Sequence, residues 1–205
     1  MKNNRYFSLA KSEEEIESKS PSEQFISKYL AIHYQKVKNL HEDLQRLPSP
    51  EEIFFLQTDT AFNAFTFIPL IAKHQGIKEL RATTYSINKR VIDALIELHD
   101  GGLIDKITIM ISDSMIQRNT STTEHLAALV QSRPNIRVLY AWSHAKVCTI
   151  RTEHNFFVVE GSGNWSENAQ YEQYLFINSR DTYEFRNKIF NEATIKHAIN
   201  NIHTA

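Results

Sequence analysis

The sequence predicts an α/β protein with a mixed β-sheet flanked by helices and an N-terminal helical extension. From Glu51 onward, short apolar runs rich in isoleucine, valine and phenylalanine alternate with longer segments of helical periodicity, which is typical of an α/β layer architecture. Late in the chain, several apolar runs follow one another across short connections, and such connections join antiparallel strands. We therefore expect both parallel and antiparallel strands in one sheet.

The composition suits a cytoplasmic protein with one sizeable domain and an appendage. The chain has 205 residues, 41% of them hydrophobic, and a net charge of −1. It contains no apolar run that is long enough to span a membrane, and its basic N-terminus is not followed by a signal core. The single cysteine, Cys148, fits a reducing compartment and is expected to pack in the core. Because the net charge is small, any surface that binds nucleic acid must be local.

Residues 1–50 form the predicted extension. Apolar residues recur at three- and four-residue steps from Phe25 to Leu44, which predicts an amphipathic helix that begins near Glu23. The prolines at positions 48 and 50 end this helix. The helix either packs against its own domain or serves as an arm for dimerisation or partner docking.

Residues 51–205 form the predicted domain. Asn88 is a suitable cap for one of its helices, which Gly101 and Gly102 close, and Pro134 follows the end of the next helix. The expected strands cover residues 53–57, 77–87, 104–112, 136–142, 145–150, 156–160 and 173–177. The expected helices cover residues 58–72, 88–99, 120–131 and 183–199.

The stretch from His144 to Glu172 carries the candidate site. His144 and Lys146 are separated by one residue, so on a strand their side chains point to the same face. An apolar run follows, and a glycine-rich turn then breaks the pattern and allows a close approach of the backbone to a ligand. Within this turn, Ser162 and Asn164 are again two residues apart. An imidazole, an ammonium, a hydroxyl and an amide can thus converge on one anionic group.

This pattern resembles the HKD motif of the phospholipase D superfamily, H-x-K-x4-D followed by G-S/G-x-N. The matching residues are His144, Lys146, Gly161, Ser162 and Asn164. The resemblance implies a phospholipase D-like domain in which His144 and Lys146 are catalytic. It also implies that Lys146, Ser162 and Asn164 bind the substrate phosphate. The segment around Glu172 resembles the trailing glutamate segment of the family, which implies that Glu172 orients a histidine.

Arg151 stands where the motif has its aspartate. Superfamily phosphodiesterases that act on tyrosyl-DNA also lack this aspartate, so the match survives the departure. A cation at this position can weaken the imidazoles as bases or add a phosphate contact, and we include Arg151 among the expected phosphate-binding residues. It can equally mark a protein that binds phosphate without cleaving it.

The resemblance implies phosphodiester cleavage by a histidine nucleophile through a phosphohistidine, without metal or cofactor. A second imidazole must protonate the leaving oxygen, yet H-x-K occurs once in this chain. Because one-motif relatives pair two subunits, we expect a homodimer with His144 from each subunit in one cleft.

Small relatives of this kind are often nucleases, so nucleic acid is the expected substrate. A lipid phosphodiesterase and a non-catalytic module that binds nucleic acid or phosphate are the alternatives, and no membrane partner is expected.

Overall fold

The structure, a computed structural model, describes residues 30–59, 62–166 and 171–200. In these ranges the chain forms a nine-stranded sheet with the order β1-β2-β8-β7-β6-β3-β4-β5-β9. The strands are β1 (Ala31–Lys36), β2 (Glu52–Thr58), β3 (Glu79–Thr84), β4 (Ile107–Ser112), β5 (Ile136–Ala141), β6 (Val147–Arg151), β7 (Phe156–Gly161), β8 (Glu172–Asn178) and β9 (Ile195–Ile199). Parallel and antiparallel pairs both occur, which confirms the predicted mixed sheet.

Helices cover both faces of this sheet. They are α1 (Leu40–Asp43), α2 (Phe67–His74), α3 (Lys89–Asp100), α4 (Ser114–Arg118), α5 (Thr120–Gln131), α6 (Arg180–Asn187) and α7 (Ile189–Glu192). The first five helices contribute to one large apolar cluster on one face. On the other face, α6 and α7 bury Tyr183 and Phe190 in two smaller clusters. The sheet is therefore packed from both sides, as the α/β prediction requires.

The position of β6 in the sheet decides where the candidate site lies. β3, β4 and β5 run parallel to one another, and β3 pairs with β6 in the antiparallel sense. On its other side, β6 pairs with β7, and β7 with β8, again antiparallel. The carboxyl ends of β3, β4, β5 and β7 therefore meet the amino end of β6 at one end of the sheet. His144 and Lys146 immediately precede β6 at this end.

Two helices begin and end within one residue of their predicted bounds. Asn88 caps α3 by accepting a hydrogen bond from the backbone N–H of Val91 at 3.0 Å, and Gly101 follows the last residue of the helix. α5 covers its predicted range, with Asn119 accepting a hydrogen bond from the backbone N–H of Thr122. Such caps satisfy backbone donors that a helix leaves without intrahelical partners.

The helix predicted over residues 58–72 starts later than expected. Asn63 caps a 3-10 turn over Ala64–Thr66, which leads directly into α2. Pro69 consequently falls in the first turn of α2, where its missing N–H would have no helical partner. Residues 60 and 61 lie outside the described ranges.

The helix predicted to begin near Glu23 and reach Leu44 is wrong in its described part. Residues 31–36 form β1, which pairs in parallel with β2, and only α1 is helical. Parallel pairing to a strand beyond the prolines is a long-range contact, so local apolar spacing does not reveal it. Residues 1–29 lie outside the described ranges. The division of the chain at residue 50 stays a prediction, although β1 shares the sheet of the following domain.

The last predicted helix, over residues 183–199, is only partly correct. α6 and α7 take up its beginning, whereas the end of the segment forms β9 and pairs antiparallel with β5. After β9, the side-chain amide of Asn200 donates to the carbonyl oxygens of Val130, Arg133 and Ile136 at 2.8, 3.1 and 3.0 Å. These contacts tie β9 to the end of α5, and apolar periodicity alone does not predict them.

Candidate active site

An open cleft of about 1270 Å³ lies at the end of the sheet where β6 begins. Its walls come from β1 and β2 on one side and from the ends of β6, β7 and β8 on the other. Four of the predicted site residues line it, namely His144, Lys146, Ser162 and Glu172. The fold therefore brings together residues that lie as many as 28 positions apart in the sequence.

His144 and Lys146 contact each other at the mouth of this cleft. Lys146 Nζ lies 3.0 Å from His144 Nδ1 and also donates to the His144 carbonyl oxygen at 2.9 Å. An ammonium only donates, so His144 Nδ1 is the acceptor and a neutral ring carries its proton on Nε2. Burial lowers the pKa of Lys146, and the negative charge of Glu172 opposes that shift.

Tyr85 and Arg118 extend the site on the side of the parallel strands. The Tyr85 ring, just after β3, lies 4.7 Å from the His144 ring between centroids and 6.0 Å from Lys146 Nζ. The guanidinium carbon of Arg118, the last residue of α4, lies 4.5 Å from the same Tyr85 centroid. Sequence reasoning missed both residues because neither belongs to the motif that the sequence displays.

Ser162 and Glu172 form a hydrogen-bonded pair in the cleft wall. The Ser162 hydroxyl donates to the Glu172 carboxylate and accepts from the backbone N–H of Gln173 at 3.2 Å. Glu172 is only 8% exposed, and a buried carboxylate requires such a donor. In this chain Glu172 accepts from Ser162 and acts on Lys146 through its charge, and the expected role of Glu172 in orienting a histidine stays a prediction.

Gly161 allows β7 and β8 to lie close together behind this pair. A Cβ atom at position 161 would lie 2.1 Å from the carbonyl oxygen of Gln173 and 2.7 Å from Cδ1 of Tyr174. The close approach is therefore to the neighbouring strand, whereas the sequence suggested an approach to a ligand. Farther along the turn, the backbone N–H of Trp165 donates to the Ser86 carbonyl oxygen at 3.1 Å, which anchors the turn beside Tyr85.

The structure does not bring Asn164 and Arg151 into the cleft lining. Asn164 is half-buried and follows the lining segment. Arg151 is the last residue of β6, and at ~3.3 Å per residue it lies about 16 Å along the strand from Lys146. Its Nε atom lies 3.8 Å from the Glu79 carboxylate. Arg151 was expected to contact the substrate phosphate, and its position at the far end of β6 instead pairs it with Glu79.

Cys148 packs in the large apolar cluster of the core. Cys148 is 4% exposed, as predicted, and burial raises the pKa of its thiol. Among the residues that the structure describes, no three His, Cys, Asp or Glu side chains form a group able to hold a metal ion. None of the helices in the described ranges combines the length and the apolar character that crossing a membrane requires.

A family model described as "Cardiolipin synthase, PLD-like domain" matches residues 68–194. This range holds most of the sheet and the whole H-x-K to glutamate stretch, and it is more than half of the chain. The chain therefore belongs to this phospholipase D-like family. A phosphodiester-related domain of this kind agrees with the resemblance carried by His144, Lys146 and the glycine-rich turn.

The solved structures that resemble this fold include a polyphosphate kinase and a phosphatidylserine synthase. The polyphosphate kinase from Porphyromonas gingivalis matches with a TM-score of 0.57 and 17% sequence identity, over 75% of this chain and 28% of the kinase chain. The phosphatidylserine synthase from Haemophilus influenzae Rd KW20 matches with a TM-score of 0.49 and 8% identity, over 70% and 39% of the two chains. At these identities the kinase likeness concerns the fold alone, and this chain spans less than two fifths of either protein. No curated protein sequence matches the chain.

Proposed function

We propose that this chain is a phosphodiester hydrolase, specifically a metal-independent nuclease that uses His144 as its nucleophile. The observation that supports the proposal best is the His144–Lys146 contact at the mouth of an open cleft. This contact lies in a family built on phosphodiester chemistry. A nucleophile and a cation at one anion-sized site are what phosphodiester cleavage needs.

The reaction begins when a substrate phosphate draws Lys146 away from His144 Nδ1, because the ammonium binds an anion more strongly than a neutral nitrogen. The imidazole proton can then sit on Nδ1, which leaves the Nε2 lone pair free to attack. The attack forms a phosphorus–nitrogen bond and breaks the bond to the leaving oxygen, which takes a proton from a second imidazole that is in its protonated, imidazolium form. That imidazole then removes a proton from water, and the hydroxide displaces His144 from phosphorus.

The second imidazole is the reason that we include a homodimer in the proposal. The chain has one H-x-K motif, so a second copy related by a twofold axis supplies the other histidine most simply. His144 is exposed, and the cleft wall carries Tyr34 and Tyr171, which are 78% and 71% exposed. Exposed aromatic side chains next to an incomplete site suit a surface that a partner covers.

Cleavage of end-labelled single-stranded DNA in excess EDTA tests this function. Cleavage should persist in EDTA, and light scattering should give twice the chain mass of 23.8 kDa. Loss of cleavage on chelation, with recovery when a divalent ion is added, contradicts the histidine mechanism. Full activity in a strictly monomeric protein contradicts the shared site.

A phospholipid is the second candidate substrate, because part of the cleft lining is apolar. Phe55, Val147 and Leu175 line the cleft together with His144 and are half-buried, so an acyl chain could lie beside the reacting phosphate. Release of head group from phosphatidylglycerol vesicles in EDTA, with DNA left intact, would favour this substrate. Arg151 lies at the far end of β6, so its charge gives no reason to prefer a non-catalytic module.

A further inference from the structure

Arg118 differs from most arginines of this chain in what its guanidinium contacts. Six arginines each pair with a carboxylate, namely Arg46, Arg81, Arg133, Arg151, Arg180 and Arg186. Arg118 is exposed, forms no ion pair with any described residue, and lies over the Tyr85 ring instead. An aromatic ring orients a cation without neutralising it. The charge of Arg118 therefore remains available to an anion.

Tyr85 connects this cation to the reacting groups. The His144 ring and the Arg118 guanidinium both pack on Tyr85, at 4.7 and 4.5 Å from its centroid. The distance between the His144 ring and the Arg118 guanidinium therefore cannot exceed the sum of these two distances. A distance within this limit is short enough for one nucleic acid strand to contact both groups.

The strand order places this second cation outside the cleft. β7, β8, β2 and β1 lie on one side of β6 and form the cleft, whereas Tyr85 and Arg118 follow β3 and β4 on the other side. On the same side of β6, Lys89, the first residue of α3, donates to the Ser121 hydroxyl at 2.8 Å, and Ser121 is three residues beyond Arg118 in sequence. Two cationic side chains, Arg118 and Lys89, thus follow the carboxyl ends of the parallel strands β4 and β3. α/β sheets commonly bind ligands in this region.

Trp142 adds an exposed ring to the same region. It follows the last residue of β5 and precedes His144 by two residues, and it is 88% exposed. Proteins that bind single-stranded nucleic acid combine a cationic track with aromatic rings on which bases stack. An inorganic polyphosphate carries negative charge but no bases, so it cannot stack on such a ring.

We infer that the carboxyl ends of β3, β4 and β5 form a second subsite that holds single-stranded nucleic acid next to the reacting phosphodiester. Arg118 binds a neighbouring phosphate, Tyr85 positions Arg118, and Trp142 stacks on a base. The inference rests on the proposed nuclease function and specifies its substrate as a strand of several nucleotides.

The test measures the affinity of the full-length protein for a fluorescein-labelled oligothymidylate of about 12 nucleotides. Phosphorothioate linkages slow its cleavage, and anisotropy is recorded in EDTA over a range of salt concentrations. Arg118→Ala should weaken binding about tenfold and flatten the salt slope by about 0.7, the value for one lost phosphate contact on a single strand. Trp142→Ala should weaken binding about tenfold through lost stacking.

The matched control is Arg180→Ala. Arg180 is also exposed and also lies over a ring, 5.3 Å from the Phe156 centroid. It is the first residue of α6, which packs on the face of the sheet opposite to α4. This variant should bind like the wild type. Tyr85→Ala should weaken binding as much as Arg118→Ala, and Tyr85→Phe should restore it, because the ring and not the hydroxyl holds Arg118.

Several results overturn the subsite. They are a wild type that does not bind the oligonucleotide, an Arg118→Ala variant that binds like the wild type, and an Arg180→Ala variant that is weakened equally. Displacement of the oligonucleotide by inorganic polyphosphate, together with an unaffected Trp142→Ala variant, overturns the assignment to nucleic acid. Binding does not require turnover, so a protein that binds as expected yet cleaves nothing in EDTA refutes the nuclease proposal and leaves the subsite standing.

Discussion

Lys146 holds His144 by its Nδ1 atom, with 3.0 Å between the two nitrogens. The lysine that would bind the substrate phosphate thus also holds the imidazole in the tautomer that cannot attack through Nε2. An incoming anion would release the nucleophile by the same movement that neutralises the phosphate. Lys146 should therefore affect the chemical step as well as substrate binding.

The first prediction concerns the alkaline limb of the pH profile of kcat/KM. Burial lowers the pKa of Lys146 from its usual 10.5, so the ammonium persists below this lowered pKa and activity falls as pH rises through it. Lys146→Arg should remove the limb at a reduced overall rate, because a guanidinium stays protonated. The profile of kcat/KM reports groups of the free enzyme. If the alkaline limb is unchanged in Lys146→Arg, the limb belongs to the titration of a group other than Lys146.

The second prediction concerns Glu172, whose charge raises the pKa of Lys146 against the effect of burial. Glu172→Gln removes this charge and should move the alkaline limb to lower pH, while the amide can still accept from Ser162. Glu153→Gln is the control, since Glu153 is exposed and follows the far end of β6. An equal shift in both variants would point to a general effect of net charge.

The third prediction concerns stability and uses Gly161. A Cβ atom at this position would overlap the Gln173 carbonyl oxygen, so Gly161→Ala should force β7 and β8 apart and lower the free energy of unfolding by about 2 kcal/mol or more. Gly76→Ala is the control, because a Cβ there meets nothing within 4 Å. Urea unfolding compares the two variants. Equal stabilities would show that the strands do not approach as described.

The helices and the motif illustrate how much of this protein local sequence predicts. Asn88 and Gly101 mark the ends of α3 because capping chemistry acts within a few residues. H-x-K and the glycine-rich turn are likewise local, so they point directly to the His144 side of the cleft. By contrast, β1 and β9 depend on pairing with β2 and β5, and apolar spacing suggested helices in their place.

The positions of Tyr85 and Arg118 beside His144 could not be predicted from the sequence, because they too depend on long-range strand pairing. Tyr85 and Arg118 lie on different elements, 33 residues apart in sequence, and only the parallel pairing of β3 and β4 brings their surroundings together. Exposed arginines are common, and nothing local distinguishes Arg118 from Arg180. The distinction appears only when each guanidinium is traced to its partners.

The fourth prediction tests the shared site by subunit mixing. An excess of His144→Ala subunits, equilibrated with wild-type protein, should abolish most of the activity, because mixed dimers would contain a single imidazole. The activity of mixtures prepared at several ratios should follow the fraction of wild-type homodimers. Activity that is simply proportional to the wild-type subunits present would place a complete site in each chain.

The central claim is that His144 is the nucleophile, and cleavage of labelled single-stranded DNA in EDTA by His144→Ala tests it most directly. We predict a loss of about a thousandfold or more, with an unchanged thermal melt because His144 is exposed and outside the core. His125→Ala is the control, since His125 in α5 pairs with Asp93 in α3 and neither residue lines the cleft, so this variant should keep full activity. An active wild type whose rate is unchanged in His144→Ala would contradict this account of the site.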